Sequence, residues 1–285
     1  MSKTIAILAP GAMGSAVGRR LSENGARVLT SLKGRSEATL KRAADAGMVG
    51  AEDDVIADAD IILSIVPPGE AVALAKRLAA LIVRREKKPI VVDCNAVNVD
   101  TVREIEEIIG SAQAPFVDGG IIGFPPQPGG KGPAFYLSGE HASDVAVLKD
   151  FGLDVRIVDG PVGAASALKM SYAGIVKGLA GIGSAMVVAA TKAGAADALR
   201  DELALSQPAI LARLEVALPD MIPKAYRWVA EMREISGFLG DDHPASQIYE
   251  GFARWFEHLA EDANGDAVDA DLMKAFAAGI ARTKS

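Results

Sequence analysis

The chain has 285 residues, of which 50% are hydrophobic and only 5% aromatic, so aliphatic side chains must build its core, as they do where helices cover parallel strands. This length favours two domains over a single core. The formal net charge of −7 leaves no excess of basic side chains for nucleic acid or an anionic membrane, and we expect neither as a partner.

The first 160 residues alternate short apolar runs with amphipathic segments. This alternation is typical of strand–helix–strand units and predicts an α/β Rossmann domain with a doubly wound, mostly parallel sheet. Apolar residues at three- and four-residue spacing predict helices over residues 70–85 and 99–109. The predicted strands cover residues 4–9, 27–31, 61–66, 90–93, 115–118, 134–138 and 154–158, with one more near residue 48.

The residues after Pro161 carry helical patterns without strand patterns. Glycine and proline predict helix breaks at Gly194, at Pro219, and within residues 240–244 and 264–265. We therefore predict a Rossmann domain over residues 1–160 and an all-α domain over residues 161–285, the latter for substrate binding and dimerisation.

Three features of the sequence indicate a cytoplasmic protein. The uncharged stretch 178–191 is too short and too rich in glycine and alanine for a membrane span, and we interpret it as a core helix. The helix over residues 174–191 suggests an extensive helical interface and predicts a homodimer. The chain enters a strand pattern at Thr4 without the apolar segment of a signal peptide. The single Cys94 excludes a disulfide framework, and we expect it to be a small buried hydrophobe.

A glycine turn joins the first strand to the first helix. In this context Gly11 would let the backbone approach a pyrophosphate, and Gly14 would let the helix pack on the strand. The helix N-terminus would supply N–H groups and a favourable dipole. Ala9 stands where the first glycine of the G-x-G-x-x-G motif is expected. The predicted dinucleotide contacts of this turn are Ala9, Gly11, Ala12, Met13 and Gly14.

The end of the second strand indicates which nicotinamide cofactor binds. NAD enzymes usually place an acid there for the ribose hydroxyls, but no acid lies between Glu23 and Glu37. Lys33, Arg35 and Ser36 could instead bind a 2′-phosphate, which an acid would repel. We therefore predict NADP(H), the alternative being an ordinary polar loop.

Hydride transfer needs a group that moves a proton at the substrate oxygen, usually His, Lys or Tyr. His141, His243 and His258 do not follow a predicted Rossmann strand, and we interpret them as structural or surface residues. Lys169 stands in the apolar stretch 162–174, where lost hydration would lower its pKa. Taken alone, this pattern favours a lysine that extends from a helix flank to solvent.

The segment from Gly163 to Tyr172 resembles the G-x-x-x-x-x-K motif of the β-hydroxyacid dehydrogenases, the group that contains 6-phosphogluconate and 3-hydroxyisobutyrate dehydrogenases. The resemblance extends over residues 9–14, 64–68, 93–96, 116–123 and 132–135. It implies that Lys169 is the acid/base of a hydride transfer. It also implies cofactor contacts at Val66, Pro67 and Asn95, and substrate contacts at Asp118, Gly119, Gly120, Ile122 and Tyr172.

Several residues depart from that family's pattern. Ile122 and Phe124 replace a serine and the last glycine of the segment that binds substrate, and Tyr172 and Ala173 replace two asparagines after the lysine. These changes favour a bulkier or more apolar substrate. Tyr172 lies one helical turn after Lys169, so its hydroxyl could bond the substrate or tune the lysine.

We therefore predict an NADP-dependent oxidoreductase without a metal, acting between a hydroxyl and a carbonyl of a small molecule. Two alternatives stay open. Imine reductases share this architecture but usually have the lysine replaced, and a non-catalytic NADP-binding sensor would show no turnover. The sequence indicates neither the substrate nor whether His243 or Arg227 reaches the active site.

Overall fold

The computed structural model describes residues 3–127, 129–240 and 242–279. The chain divides into two compact units, Met1–Met170 and Ser171–Ser285. This boundary falls later than residue 160, where the sheet elements were predicted to end, because the helix Ala164–Lys192 begins in the first unit and continues into the second.

The described part of the first unit contains a sheet of eight strands in the order β3-β2-β1-β4-β5-β6-β7-β8. Neighbouring strands are parallel except for β6 and β7, so the predicted doubly wound, mostly parallel sheet is confirmed. The order reverses at β1, which creates the switch point where such sheets bind ligands. The strands are β1 Thr4–Leu8, β2 Arg27–Thr30, β3 Val49–Gly50, β4 Ile61–Ser64, β5 Ile90–Asp93, β6 Phe116–Ile122, β7 Ala134–Ser138 and β8 Asp154–Ile157.

Both faces of the sheet are covered, and β1 shows how the sequence specifies this. Ile5 and Ile7 join one apolar cluster, whereas Ala6 and Leu8 join another. A strand buried on both faces needs such an unbroken apolar run. The helices of this unit are α1 Ala12–Glu23, α2 Glu37–Asp45, α3 Asp53–Ala57, α4 Ala71–Ile82 and α5 Val99–Ser111, with 3₁₀ segments at Pro68–Glu70 and Ala142–Phe151.

Strand β6 is longer than predicted. The sequence indicated a strand to residue 118 followed by a turn, but the strand continues to Ile122 because its second half pairs with antiparallel β7. Gly119 and Gly120 concealed this continuation, since glycine is depleted in strands. Here the missing side chains allow close packing, because a Cβ on Gly120 would lie 2.8 Å from the Ala165 carbonyl oxygen.

The second unit is helical throughout its described residues, as predicted. The predicted break at Pro219 is wrong, because this proline lies in the last turn of α8, where its missing N–H removes one helical hydrogen bond without ending the helix. Of the break predicted within residues 240–244, Asp241 lies outside the described residues. The helices are α6 Ala164–Lys192, shared with the first unit, α7 Ala196–Ser206, α8 Pro208–Met221, α9 Ala225–Leu239, α10 Ser246–Asn264 and α11 Val268–Ala277, with a 3₁₀ turn at Ile222–Lys224.

Helix α6 is longer than its uncharged stretch suggested. Its 29 residues include a window of mean hydropathy 1.7, so by length and composition alone the helix could cross a membrane. The length expected from residues 178–191 was too short, whereas the interpretation as a core helix stays a prediction. Core helices of soluble proteins have the same properties. One face of α6 packs inside the second unit, where a Cβ on Gly181 or Gly183 would lie within 3.0 Å of Phe252 or Leu214.

Candidate active site

The turn between β1 and α1 lies at the switch point of the sheet. A Cβ on Gly14 would lie 2.2 Å from the Ala9 carbonyl oxygen, so only glycine lets α1 start this close to β1. Gly11 is the N-cap residue of α1, and no described side chain caps this helix end. The space around a Cβ on Gly11 is open to 4 Å. The N–H groups of the first turn can therefore receive a phosphate.

A cavity of about 270 Å³ opens beside this turn. Of the three side chains predicted to bind a 2′-phosphate, Arg35 lines the cavity, whereas Lys33 and Ser36 do not. The Ser36 hydroxyl instead pairs with Thr39 Oγ1 at 3.1 Å. Lining residues are Leu8, Ala9, Ser31, Arg35, Val66, Glu70, Ala73, Leu74 and Arg77.

A buried polar network fixes the loop after β4. Asn95 Oδ1 accepts the Val66 N–H at 2.6 Å, and Asn95 Nδ2 donates to Ser64 Oγ at 2.8 Å and to Asp93 Oδ1 at 2.5 Å. The side chain of Asn95 is thus engaged with protein groups and holds the backbone of Val66, which precedes Pro67. This network shapes one wall of the cavity.

A second buried network anchors the start of α6. Asp118 Oδ2 accepts the N–H groups of Gly163 and Ser166, each at 3.0 Å. The same carboxylate accepts the hydroxyls of Ser138 at 3.0 Å and Ser166 at 2.6 Å. Ser138 Oγ in turn accepts the Ala165 N–H at 3.0 Å. Asp118 is 0% exposed, so a buried carboxylate accepts N–H groups at the start of α6 that have no helical partner.

Lys169 lies one turn after Ser166 on this anchored part of α6. A Cβ on Gly120 would approach the Lys169 Cβ to 3.3 Å, so the lysine stem packs on Gly120 of β6. Burial lowers the pKa of Lys169, and the nearby charges of Asp93 and Asp118 partly oppose that effect. The structure therefore places a partly desolvated amine next to the two acids that end β5 and occupy β6.

Two neighbours of Lys169 also have perturbed acidity. Burial, together with the charge of Asp118, raises the pKa of Asp93 to about 7. Burial likewise raises the pKa of the Cys94 thiol, which is only 3% exposed. A thiol in this state is a weak nucleophile, in keeping with the expectation of a small buried hydrophobe.

The histidines each have a local partner. His141 Nδ1 lies 3.1 Å from Asp144 Oδ2, His258 Nε2 lies 2.9 Å from Asp269 Oδ2, and His243 Nδ1 accepts the Ala245 N–H at 3.2 Å. These contacts agree with structural or surface roles. In the second unit, Arg227 is exposed and lies over the ring of Tyr226, and Tyr172 is 51% exposed.

Sequence reasoning missed several polar residues. Ser64, Ser138 and Ser166 come from three separate elements, and nothing in their spacing links them to Asn95 or Asp118. Arg77, which lines the cavity, and Asp53, which accepts the Ser31 hydroxyl, were also missed, because they come from α4 and α3, outside the β1–α1–β2 motif. Among the described residues, no three His, Cys, Asp or Glu side chains are grouped as metal ligands would be.

A glycine turn at the switch point of a doubly wound sheet is where Rossmann folds bind a dinucleotide, and a buried lysine with a lowered pKa can transfer protons. A family model agrees, because residues 4–150 match the NAD binding domain of 6-phosphogluconate dehydrogenase. The chain belongs to this family, and the resemblance inferred from its motifs is confirmed. A second model, a domain of unknown function (DUF1932), matches residues 190–259.

Individual proteins are similar to this chain in sequence or structure. The uncharacterized 28.5 kDa protein in the 7S RNA 5′ region of Methanothermus fervidus is 33% identical over 178 residues, which cover 62% of this chain and 66% of that protein, slightly under two thirds. The structure of MTH1747, a conserved protein of unknown function similar to 3-hydroxyacid dehydrogenases, is 25% identical with a TM-score of 0.73, covering 94% of this chain and 99% of that one. Mycobacterium tuberculosis 3-hydroxyisobutyrate dehydrogenase, solved with L-serine, is 20% identical with a TM-score of 0.65, covering 99% and 100%.

Proposed function

We propose that the protein is an NADP(H)-dependent oxidoreductase that interconverts a hydroxyl and a carbonyl group, with Lys169 as its acid/base. The observation that carries this proposal is the position of Lys169. Its stem packs on Gly120, its helix is anchored by Asp118, and burial lowers the pKa of its amine. A snorkelling lysine also buries its stem but keeps its amine in water, so the pKa lowered by burial is the feature that distinguishes Lys169.

Carbonyl reduction adds a hydride to carbon and a proton to oxygen. NADPH supplies the hydride when it is bound. Lys169 in its ammonium form donates the proton to the oxygen, and the neutral amine takes the proton back in the reverse direction. A lowered pKa serves both steps, because the ammonium becomes a stronger acid and the neutral amine becomes more populated near neutral pH.

The remaining predicted site residues support the reaction in different ways. We assign the first βα turn, from Ala9 to Gly14, to the pyrophosphate. Gly120 brings the backbone of β6 close to Lys169, whereas Gly119 packs against Cys94. Asp118 acts through α6 by holding its N-terminus. Ile122, half-buried at the end of β6, favours a substrate with an apolar group.

The cofactor is assigned as NADP(H) because Arg35 lines the cavity at the end of β2. One feature acts against this assignment. The Ser31 hydroxyl donates to Asp53 Oδ1 at 3.3 Å, which places near the ribose position an acid of the type that NAD enzymes use. Arg77, whose Nε lies 4.0 Å from Asp53 Oδ2, offsets the charge of this acid.

The test of this function is a panel of keto acids, aldehydes, hydroxy acids and cyclic imines, assayed by NADPH or NADP⁺ absorbance. We expect turnover of one carbonyl or hydroxyl class. Turnover of cyclic imines alone would identify an imine reductase instead. Tight NADPH binding without turnover of any substrate would favour a cofactor-binding sensor.

We also propose that the protein is a cytoplasmic homodimer. The part of α6 in the second unit supports the dimer, because it exposes apolar side chains. Five large apolar side chains on this helix are exposed at alternating three- and four-residue spacing. This spacing forms a single apolar stripe, which the same stripe of a second copy would cover. The side chains of the stripe are Tyr172, Ile175, Leu179, Ile182 and Met186, exposed by between 43% and 65%.

A further inference from the structure

Arg77 has no part in the proton transfer, yet it lines the cavity beside the first βα turn. It comes from α4, an element separate from the loop that supplies Arg35. Besides Arg35, the cavity has a third charged lining residue, Glu70, which directly precedes α4. Glu70 lies seven positions before Arg77, about 10 Å along the helix axis at 1.5 Å per residue. The cavity therefore has an acidic and a basic end along α4, with Arg77 at the basic end.

Two contacts show which part of a dinucleotide the basic end faces. Ser31 directly follows β2, where Rossmann folds meet the ribose hydroxyls, and its hydroxyl donates to Asp53 Oδ1 at 3.3 Å. The other carboxylate oxygen of Asp53 lies 4.0 Å from Arg77 Nε. Asp53 thus contacts both Ser31 and Arg77, which brings Arg77 close to the expected ribose position. Among the described residues, the Arg77 guanidinium has no hydrogen-bond partner.

Charge decides what this end can bind. Asp53 alone would favour ribose hydroxyls and repel a phosphate. With Arg77 against Asp53 and Arg35 on the same cavity, the three side chains sum to one positive charge. Guanidinium groups bind phosphate oxygens in bidentate geometry and remain charged at every working pH.

We propose that Arg77 binds the 2′-phosphate of NADP(H) together with Arg35, and that it neutralises Asp53 so that the phosphate is tolerated. This inference rests on the proposed NADP(H) specificity and adds a residue outside the loop after β2 that sets it. Removal of Arg77 then has two effects in the same direction: a phosphate contact is lost, and the Asp53 carboxylate is left unbalanced beside the ribose.

The experiment measures dissociation constants of NADPH, NADH, 2′,5′-ADP and 5′-AMP by calorimetry for the wild type, Arg77→Gln and Lys76→Gln. Lys76 is the matched control, because it is the adjacent α4 cation, is also exposed, and lies 3.8 Å from Glu104 rather than lining the cavity. We expect Arg77→Gln to weaken NADPH and 2′,5′-ADP about 10- to 100-fold, as for a lost charge-assisted hydrogen bond. NADH and 5′-AMP should change less than about 3-fold, and Lys76→Gln should leave all four ligands unchanged.

Other results separate this inference from the function on which it rests. A wild type without preference for NADPH over NADH would refute the NADP(H) assignment itself. A wild type that prefers NADPH, with the preference intact in Arg77→Gln, would refute the role of Arg77 alone. Equal weakening of all four ligands in Arg77→Gln would also refute it, because the arginine would then contact the adenine and not the phosphate.

Discussion

Replacing Asp118 by alanine removes the acceptor of four hydrogen bonds at the start of α6. The two serine hydroxyls can rotate toward other acceptors, but the N–H groups of Gly163 and Ser166 cannot. Two buried donors left unpaired cost about 1–3 kcal/mol each, so we expect Asp118→Ala to destabilise the protein by about 3–5 kcal/mol. At roughly 2–4 °C per kcal/mol, the melting temperature should fall by about 10 °C.

Asp118→Asn separates the hydrogen bonds from the charge. Its amide oxygen can take the place of Oδ2 and accept the two N–H groups and the Ser138 hydroxyl. Its amide nitrogen can donate to Ser166 Oγ once that hydroxyl has turned. Only charge assistance is lost, so we expect a cost of about 1 kcal/mol. Asp100→Ala is the surface control, because the Asp100 side chain is 90% exposed.

The assay is thermal and urea unfolding followed by circular dichroism for the three variants, with urea midpoints converted to free energies of unfolding. The expected order of destabilisation is Asp118→Ala, then Asp118→Asn, then Asp100→Ala. An alanine variant as stable as the asparagine variant would refute the anchoring role. An asparagine variant as unstable as the alanine variant would show that charge, and not the bonding pattern, holds the helix.

Three further predictions follow from the same structure. Gly120→Ala places a Cβ 2.8 Å from the Ala165 carbonyl oxygen, so turnover should fall about 10-fold or more while NADPH affinity stays unchanged. The control Gly110→Ala, in open space on α5, should be neutral. Equal turnover in both variants would contradict this prediction. Burial raises the pKa of Asp93 from 3.8 to about 7, so the folded protein keeps a proton that the unfolded chain releases. The stability that this group contributes is complete below about pH 4 and is lost as the pH rises toward 7, by up to about 4 kcal/mol. Urea unfolding of Asp93→Asn should lack this decline. An identical slope of stability against pH in both proteins would refute the prediction. The double variant Ile175→Glu with Ile182→Glu should be monomeric by light scattering, and a persistent dimer would exclude the α6 stripe as the interface.

The fold was largely predictable because its signals are local. An unbroken apolar run such as β1 can be buried on both faces only in a covered sheet, and a glycine turn after it identifies the first βα unit. β6 was underestimated because its glycines weaken the strand pattern, while the partner that stabilises them, β7, is distant in sequence. Pro219 was overestimated as a helix breaker because a proline in a last turn removes only one bond.

The candidate site was predictable only where chemistry and motif coincide. Lys169 could be found from its apolar context and its family motif. The anchoring by Asp118 could not, because its partners Ser138 and Ser166 are polar residues of ordinary spacing that meet only in three dimensions. The same holds for Arg77 and Asp53, whose role depends on how α3 and α4 pack beside β2.

The most direct test of the account compares Lys169→Ala with the wild type for turnover of the carbonyl substrate found in the panel and for NADPH affinity. Lys76→Ala is the control for loss of a lysine charge. We predict that Lys169→Ala lowers kcat by about 10²- to 10⁴-fold, the usual contribution of an acid/base group, while NADPH binds with unchanged affinity. Turnover by Lys169→Ala at the rate of the wild type would contradict the central claim that this lysine moves the proton.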